Sequence, residues 1–153
     1  MTLSAAQKSA VTSSWKSLAA DRNAILTNGA ALFSLLFKTF PDTKQHFPHF
    51  EGKGDDLKAS GVGRAHALAV FTGIDAIVKS LDDGECIEGL SLKLARNHVD
   101  RKIGSSRFQQ MRQVFGSFLD QQLGGAATAD VKSAWDALLA YLQEHLAAEE
   151  KRR

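Results

Sequence analysis

Apolar residues in this chain recur at steps of three and four positions, the spacing of an α-helix with one side turned toward a core. Ser4 and Gln7 have capping-box spacing, so a first helix is predicted to begin there. A second covers residues 22–39 and ends before Pro41, because the position before a proline disfavours helical backbone. Four later helices are predicted over residues 61–81, 86–97, from about 105 to Gly124, and from Thr128 to the charged tail.

No alternating strand pattern, internal repeat or low-complexity linker accompanies these helices. Both prolines, Pro41 and Pro48, fall in the segment 41–60, which is predicted to be irregular. A chain of 153 residues has the size of one domain and suffices for one core and one pocket. We therefore predict a single all-α domain over residues 1–153, in which residues 146–153 form a frayed charged tail.

The composition argues against several classes of binding partner. The formal net charge of +2 argues against nucleic acid or a membrane surface, since both require a concentrated basic face. No apolar run approaches the roughly 20 residues of a membrane span, and the first residues lack the pattern of a signal peptide. The single cysteine, Cys86, excludes an internal disulfide. We expect a reduced cytoplasmic protein; the alternatives are export by another signal or an intermolecular bridge through Cys86.

Two of the five histidines, His66 and His98, lie on the apolar faces of predicted helices. Imidazole nitrogens need partners, so each has a bland interpretation: a satisfied core residue for His66 and a helix-terminal cap for His98. The sharper interpretation makes His98 an axial ligand of iron, with its second ring nitrogen bonded to the Leu94 carbonyl. The sequence contains no zinc-protease, Walker, dinucleotide-binding or serine-hydrolase motif.

The order and spacing of Pro41, Phe47, His66 and His98 carry a family resemblance. Together with Trp15 and the segments RAHALAV and NHVDRKI, they resemble the globins over essentially the whole chain. Within that family the chain is similar to single-domain invertebrate globins of molluscan type. The resemblance implies a globin fold of six to eight helices around haem b (iron protoporphyrin IX).

The resemblance also implies roles for individual residues. His98 would be the proximal iron ligand and His66 the distal histidine, which holds the bound gas or binds the iron itself. Phe47 would stack on the porphyrin, Phe50 would form a wall of the pocket, and Phe33 would occupy its distal ceiling. Because phenylalanine carries no donor, Phe33 would fill space without adding a second hydrogen bond.

Further positions complete the implied pocket. Val70 would lie beside the bound gas, and His49 and Arg101 are candidates for the haem propionates. The remaining residues would line the proximal and inner side, with plain core packing as the alternative: Leu94, Ile103, Phe108 and Met111.

The function implied is reversible O2 binding for transport or storage, with CO and NO as further ligands and no dedicated enzyme activity. A neutral His66 N–H would stabilise bound O2, which becomes partly negative, more than the less polar CO. Two alternatives stay open: a sensor or nerve-type globin whose iron is held by both histidines, and a haem enzyme with NO dioxygenase or peroxidase-like activity. No reductase accompanies the domain, and Phe33 and Val70 make a weakly polar distal side, which argues against the enzymes.

Lys93, Asn97 and Arg101 recur at steps of four on a stripe beside His98. A solvated helix face is one interpretation. The other is a homodimer, because dimeric bivalve haemoglobins carry the same three residue types at the matching positions. Leu94 replaces the phenylalanine that those dimers use as a switch, which argues against cooperativity more than against association.

Overall fold

The computed structural model describes residues 1, 3–50 and 54–153, and most of them are helical. Six α-helices follow one another: α1 (Ala5–Leu18), α2 (Arg22–Thr39), α3 (Gly61–Lys79), α4 (Gly84–Asp100), α5 (Ser105–Leu123) and α6 (Ala129–Arg152). Four short 3-10 helices cover Pro41–His46, Pro48–Phe50, Leu57–Ala59 and Gly124–Ala126. The described ranges contain no strand, and the predicted all-α fold is confirmed. The irregular segment 41–60 is resolved into three of the 3-10 helices, apart from its undescribed positions 51–53.

Side-chain caps explain where the helices begin. The predicted capping box is present, since Ser4 Oγ accepts from the Gln7 amide at 3.1 Å and the Gln7 side chain accepts from the Ser4 amide at 2.8 Å. Asp83 accepts from the Cys86 amide at 3.0 Å, so α4 begins at Gly84 rather than at residue 86. Cys86 therefore lies in the first turn of α4, where it is exposed.

The chain does not fray at its end, and the prediction of a frayed tail over residues 146–153 is wrong. Helix α6 continues to Arg152, with Leu146 fully buried and Glu149 only 2% exposed. Leu146 extends the apolar stripe of α6, and two arginines of the last turn neutralise Glu149. The charged end of the sequence therefore includes one more helical turn with buried side chains.

Two tryptophans lie in the larger apolar cluster. The Trp15 ring lies 4.9 Å from Phe71 and 5.9 Å from Trp135, which joins α1, α3 and α6. Both indoles have their N–H groups satisfied: Trp135 donates to Ser14 Oγ at 2.8 Å and Trp15 donates to Asp75 at 3.0 Å. These bonds fix the register of α1 against its neighbours.

A smaller apolar cluster forms between α2, α3 and the 3-10 helices, around Phe33, Phe37 and Phe50. Val70 of α3 and Met111 of α5 pack against both this cluster and the larger one. The candidate site lies where the two clusters meet.

Glycines allow α3 to approach its neighbours closely. A Cβ on Gly29 of α2 would lie 2.8 Å from the Ala67 Cβ, and one on Gly63 would lie 2.1 Å from the Leu57 carbonyl oxygen. Phe33 follows Gly29 by one turn, and His66 directly precedes Ala67. The close crossing of α2 and α3 therefore brings Phe33 against His66.

Helix α3 is also long and apolar enough, by length and composition alone, to cross a membrane. The expectation that no segment approaches this limit is corrected for α3. Core helices of globular domains meet the same criterion, and several α3 side chains, among them Ala67, Phe71 and Ile77, are buried against other helices.

Candidate functional site

Aromatic rings surround His66 on α3. Its imidazole lies 4.7 Å from the ring of Phe33, 5.1 Å from Phe47 and 5.6 Å from Phe50, measured between centroids, and all three rings are perpendicular or nearly so to it. Phe33 comes from α2, whereas Phe47 and Phe50 come from the 3-10 segment that precedes α3. The sequence thus collects apolar rings from separate elements around one polar side chain.

The surroundings keep His66 neutral. Burial, and then the positive charges of His98 and Arg101, lower the pKa of His66 to about 4. Its Nε2 atom is buried and has no hydrogen-bond partner, a state that is rare among buried polar atoms and calls for a ligand or water. Among the described residues only the Nε2 of His46 shares it.

His98 has one ring nitrogen already occupied. Its Nδ1 lies 2.9 Å from the Leu94 carbonyl oxygen, and because a carbonyl only accepts, Nδ1 must carry the proton. The lone pair of the neutral ring is then on Nε2, the arrangement that metal-binding histidines use. Burial lowers the pKa of His98, the Leu94 bond opposes this, and the Arg101 charge lowers it further. The ring of Phe108 stands edge-on at 5.9 Å.

The two histidines lie on neighbouring clusters: His66 contacts rings of the smaller apolar cluster, His98 contacts Phe108 of the larger one, and Met111 packs against both clusters. A positive charge on His98 would lower the pKa of His66. Phe47 and Phe50 stack nearly parallel, at 5.8 Å and 12°, on the His66 side. The described residues contain no group of three or more histidine, cysteine or carboxylate side chains that could hold a bare metal ion. An iron macrocycle, which needs one protein nitrogen and apolar walls, fits these donors, whereas a bare ion does not.

The structure also locates the remaining predicted pocket residues. Val70, Leu94, Ile103 and Met111 are half-buried, and Phe108 is buried. His49 is exposed on the 3-10 helix Pro48–Phe50. Arg101 is exposed, and its guanidinium donates to the Asn97 carbonyl at 2.8 Å. Lys93 and Asn97 are exposed on α4 as well.

Sequence reasoning missed Phe37 as part of the aromatic wall. Phe37 is 3% exposed and lies 5.3 Å from the ring of Phe47 and 6.1 Å from Phe33. Its spacing of four from Phe33 on α2 was the available signal.

His46 is a second residue that sequence reasoning did not single out. It is half-buried, and its Nε2 has no hydrogen-bond partner among the described residues. Burial, and then the charge of Arg107, lower the pKa of His46, while Asp42 opposes them. Arg107 of α5 forms an ion pair with Asp42 of the 3-10 helix Pro41–His46. No local sequence pattern predicts this contact.

This chain is similar to known proteins over most of its length. The Globin family model matches residues 30–146, which include both histidines. A globin from Tritia mutabilis is 51% identical over 144 residues, which are 94% of this chain and 98% of that protein. One from Buccinum undatum is 49% identical, with 89% and 93% covered. The structure of ferric Aplysia limacina myoglobin, determined in different liganded states, matches with a TM-score of 0.84 at 29% identity, covering 96% of this chain and 98% of that one.

Proposed function

This chain belongs to the globin family, and we propose that it is a haem protein that binds O2 reversibly for transport or storage. The observation that carries the proposal is the buried, unpartnered Nε2 of a neutral His66, whose apolar cluster adjoins the one that His98 contacts. A polar nitrogen left without a partner in an apolar site is costly unless a ligand meets it.

His98 is the residue that we propose as the permanent axial ligand of haem b. When bound, haem supplies an iron that takes one protein nitrogen and reversibly accepts a diatomic gas such as O2, CO or NO. The Leu94 carbonyl holds the proton on Nδ1 of His98, orients the ring along α4 and makes Nε2 more basic. Phe108 limits rotation of the ring from the α5 side.

His66 is the residue that selects the gas. A neutral imidazole in this apolar site donates from Nε2, and a hydrogen bond contributes about 0.5–1.5 kcal/mol, or more to a charged acceptor. Since about 1.4 kcal/mol corresponds to tenfold in affinity, this bond alone can govern how fast O2 leaves. The less polar CO gains less from it.

The rings around His66 exclude water and add no donor. Phe33 fills the ceiling next to His66, Phe47 and Phe50 form the wall, and Val70 lies one turn further along α3. A site of this composition suits ligand binding better than peroxide chemistry, which benefits from charged distal groups. We propose a carrier, with any NO dioxygenase or peroxidase-like turnover incidental.

The outer residues have supporting roles in this proposal. We propose that His49 and Arg101, whose side chains are exposed, interact with the haem propionates. We propose that the inner side is lined by Leu94 of α4, Ile103 of the connection to α5, and Phe108 and Met111 of α5.

A second candidate follows from the same unpartnered nitrogen: His66 Nε2 itself binds the iron, as in a sensor or nerve-type globin. The visible spectrum of the haem-loaded, deoxygenated ferrous chain separates the two. One broad band indicates five-coordinate iron and supports O2 carriage, whereas sharp split bands indicate that His66 occupies the sixth position. Both candidates are contradicted if the wild-type chain does not take up haem in a stoichiometric amount. They are also contradicted if the His98→Gly variant binds haem as well as the wild type does.

A further inference from the structure

The last turn of α6 reaches the end of the helix that carries His98. Arg153 Nη1 lies 2.5 Å from Asp100 Oδ1, and Asp100 is both the last residue of α4 and two positions beyond His98. This bond spans 53 positions of the chain. The segment that the sequence presents as a charged tail is therefore fastened to the proximal side of the site.

Glu149 holds Arg153 in place. The Glu149 side chain is 1% exposed and accepts from Arg153 Nε at 2.9 Å and from Arg152 Nη2 at 2.7 Å. Hydrogen bonds from Arg152 and then from Arg153 lower the pKa of Glu149 to about 2, against the opposing effect of burial. Arg153 is thus held between two carboxylates, whereas Arg152 pairs only with Glu149 among the described residues.

Glu150 fastens the next element along the chain. Its Oε2 accepts from the amide of Ser105, the first residue of α5, at 3.0 Å. The N-cap of α5 is Gly104, which has no side chain to make this bond, so a residue 45 positions away caps the helix. A Cβ on Gly104 would lie 1.8 Å from Glu150 Oε1, so the glycine leaves room for the cap.

Between these two attachments lies the tight corner that ends α4. The amides of Arg101 and Ile103 both donate to the His98 carbonyl oxygen, at 3.1 Å and 2.9 Å. Lys102 between them has a φ of 61°, a left-handed conformation that a non-glycine residue adopts at some cost. The backbone of His98 is therefore bonded directly to a strained corner whose two ends α6 holds.

We propose that Arg153 and Glu150 are positioning residues for His98, which act by fixing the corner between α4 and α5. We call their set, with Asp100, Ser105 and Glu149, the C-terminal clamp. The inference rests on the proposed role of His98 as the iron ligand. Loosening the clamp lets the corner and the His98 ring move, which changes how the imidazole meets the iron without touching any residue of the pocket.

Arg153→Ala and Arg152→Ala form a matched pair on the haem-loaded full chain. Both remove a guanidinium from Glu149, but only the first also releases Asp100. We expect Arg153→Ala to shift or broaden the iron–histidine stretching band in the resonance Raman spectrum of the deoxygenated ferrous form. Exchange of the Ile103 and Ser105 amides should accelerate about two- to fivefold, the range for a small ion-pair network. Arg152→Ala should leave both readouts unchanged.

A second pair tests the other attachment. Glu150→Ala removes the cap of Ser105 and should speed exchange of that amide, whereas Glu150→Gln keeps an acceptor and should restore protection. Equal exchange and an unmoved Raman band in Arg153→Ala, Arg152→Ala and wild type overturn the clamp and leave the proposed function standing. Absence of any iron–histidine band in a wild type whose visible spectrum shows five-coordinate iron overturns both.

Discussion

Gly29 and Ala67 are in contact where α2 crosses α3, and the space between them admits no further carbon atom. A Cβ on residue 29 would lie 2.8 Å from the Ala67 Cβ, closer than such atoms approach in proteins. Phe33 of α2 and His66 of α3 lie near this crossing, and their ring centroids are 4.7 Å apart. The distance between two helices thus determines how tightly the aromatic ceiling covers the histidine.

Gly29→Ala is therefore expected to destabilise the chain by about 1–3 kcal/mol, because overpacking displaces α2 from α3. The melting temperature of the haem-loaded protein should fall by about 2–12 °C. Gly73→Ala, in an exposed part of α3 with nothing within 4 Å, is the control and should raise it slightly, since alanine favours helix. A pair of equal shifts would contradict the close crossing.

His66→Leu is expected to accelerate O2 release by about 2- to 100-fold and to speed autoxidation, because the hydrogen bond to the gas is lost. CO release should change much less. Flash photolysis and stopped-flow measurements give both rates. His46→Leu removes the other histidine with an unpartnered Nε2 and should leave O2 release unchanged. Unaltered O2 release in His66→Leu would refute the role proposed for His66.

Ser14→Ala should cost about 1–3 kcal/mol of stability, because the Trp135 N–H loses its acceptor in a buried position. Thermal melting of the haem-loaded chain measures the loss. Ser13→Ala, an exposed neighbour on the same helix, makes the same chemical change and should melt like wild type. If both variants melt alike, the indole bond contributes nothing.

Glu149→Gln tests the buried carboxylate through pH. The pKa of Glu149 is lowered from 4.5 to about 2, so its charge stabilises the fold above pH 4.5, and that contribution is lost as pH falls toward 2. At pH 7 the variant should melt below wild type, and the gap should narrow as the pH falls through this window. Glu144→Gln, on the exposed face of α6, should show no gap. A gap that stays constant from pH 7 to pH 3 would count against the ion pairs.

Local signals predicted the helices well, because caps such as Ser4 and breakers such as Pro41 act within one turn of the chain. The histidine pair was recognisable from spacing because α3 and α4 keep helical periodicity up to those residues. The burial of Glu149 and His46 was not predictable in the same way. Glu149 lies on α6, which packs against α4, and His46 lies near Arg107 of α5. A single-sequence pattern carries no information about such distant neighbours.

Gly104 and Glu150 share one small volume, although 45 positions separate Ser105, which follows the glycine, from its cap. An alanine at position 104 displaces the carboxylate and uncaps α5, and a shorter residue at 150 uncaps it as well. Substitutions at positions 104 and 150 are consequently expected to be coupled in related chains. We expect a side chain at 104 to occur together with a replacement at 150 and with a cap supplied from position 104 itself, as serine or aspartate would do.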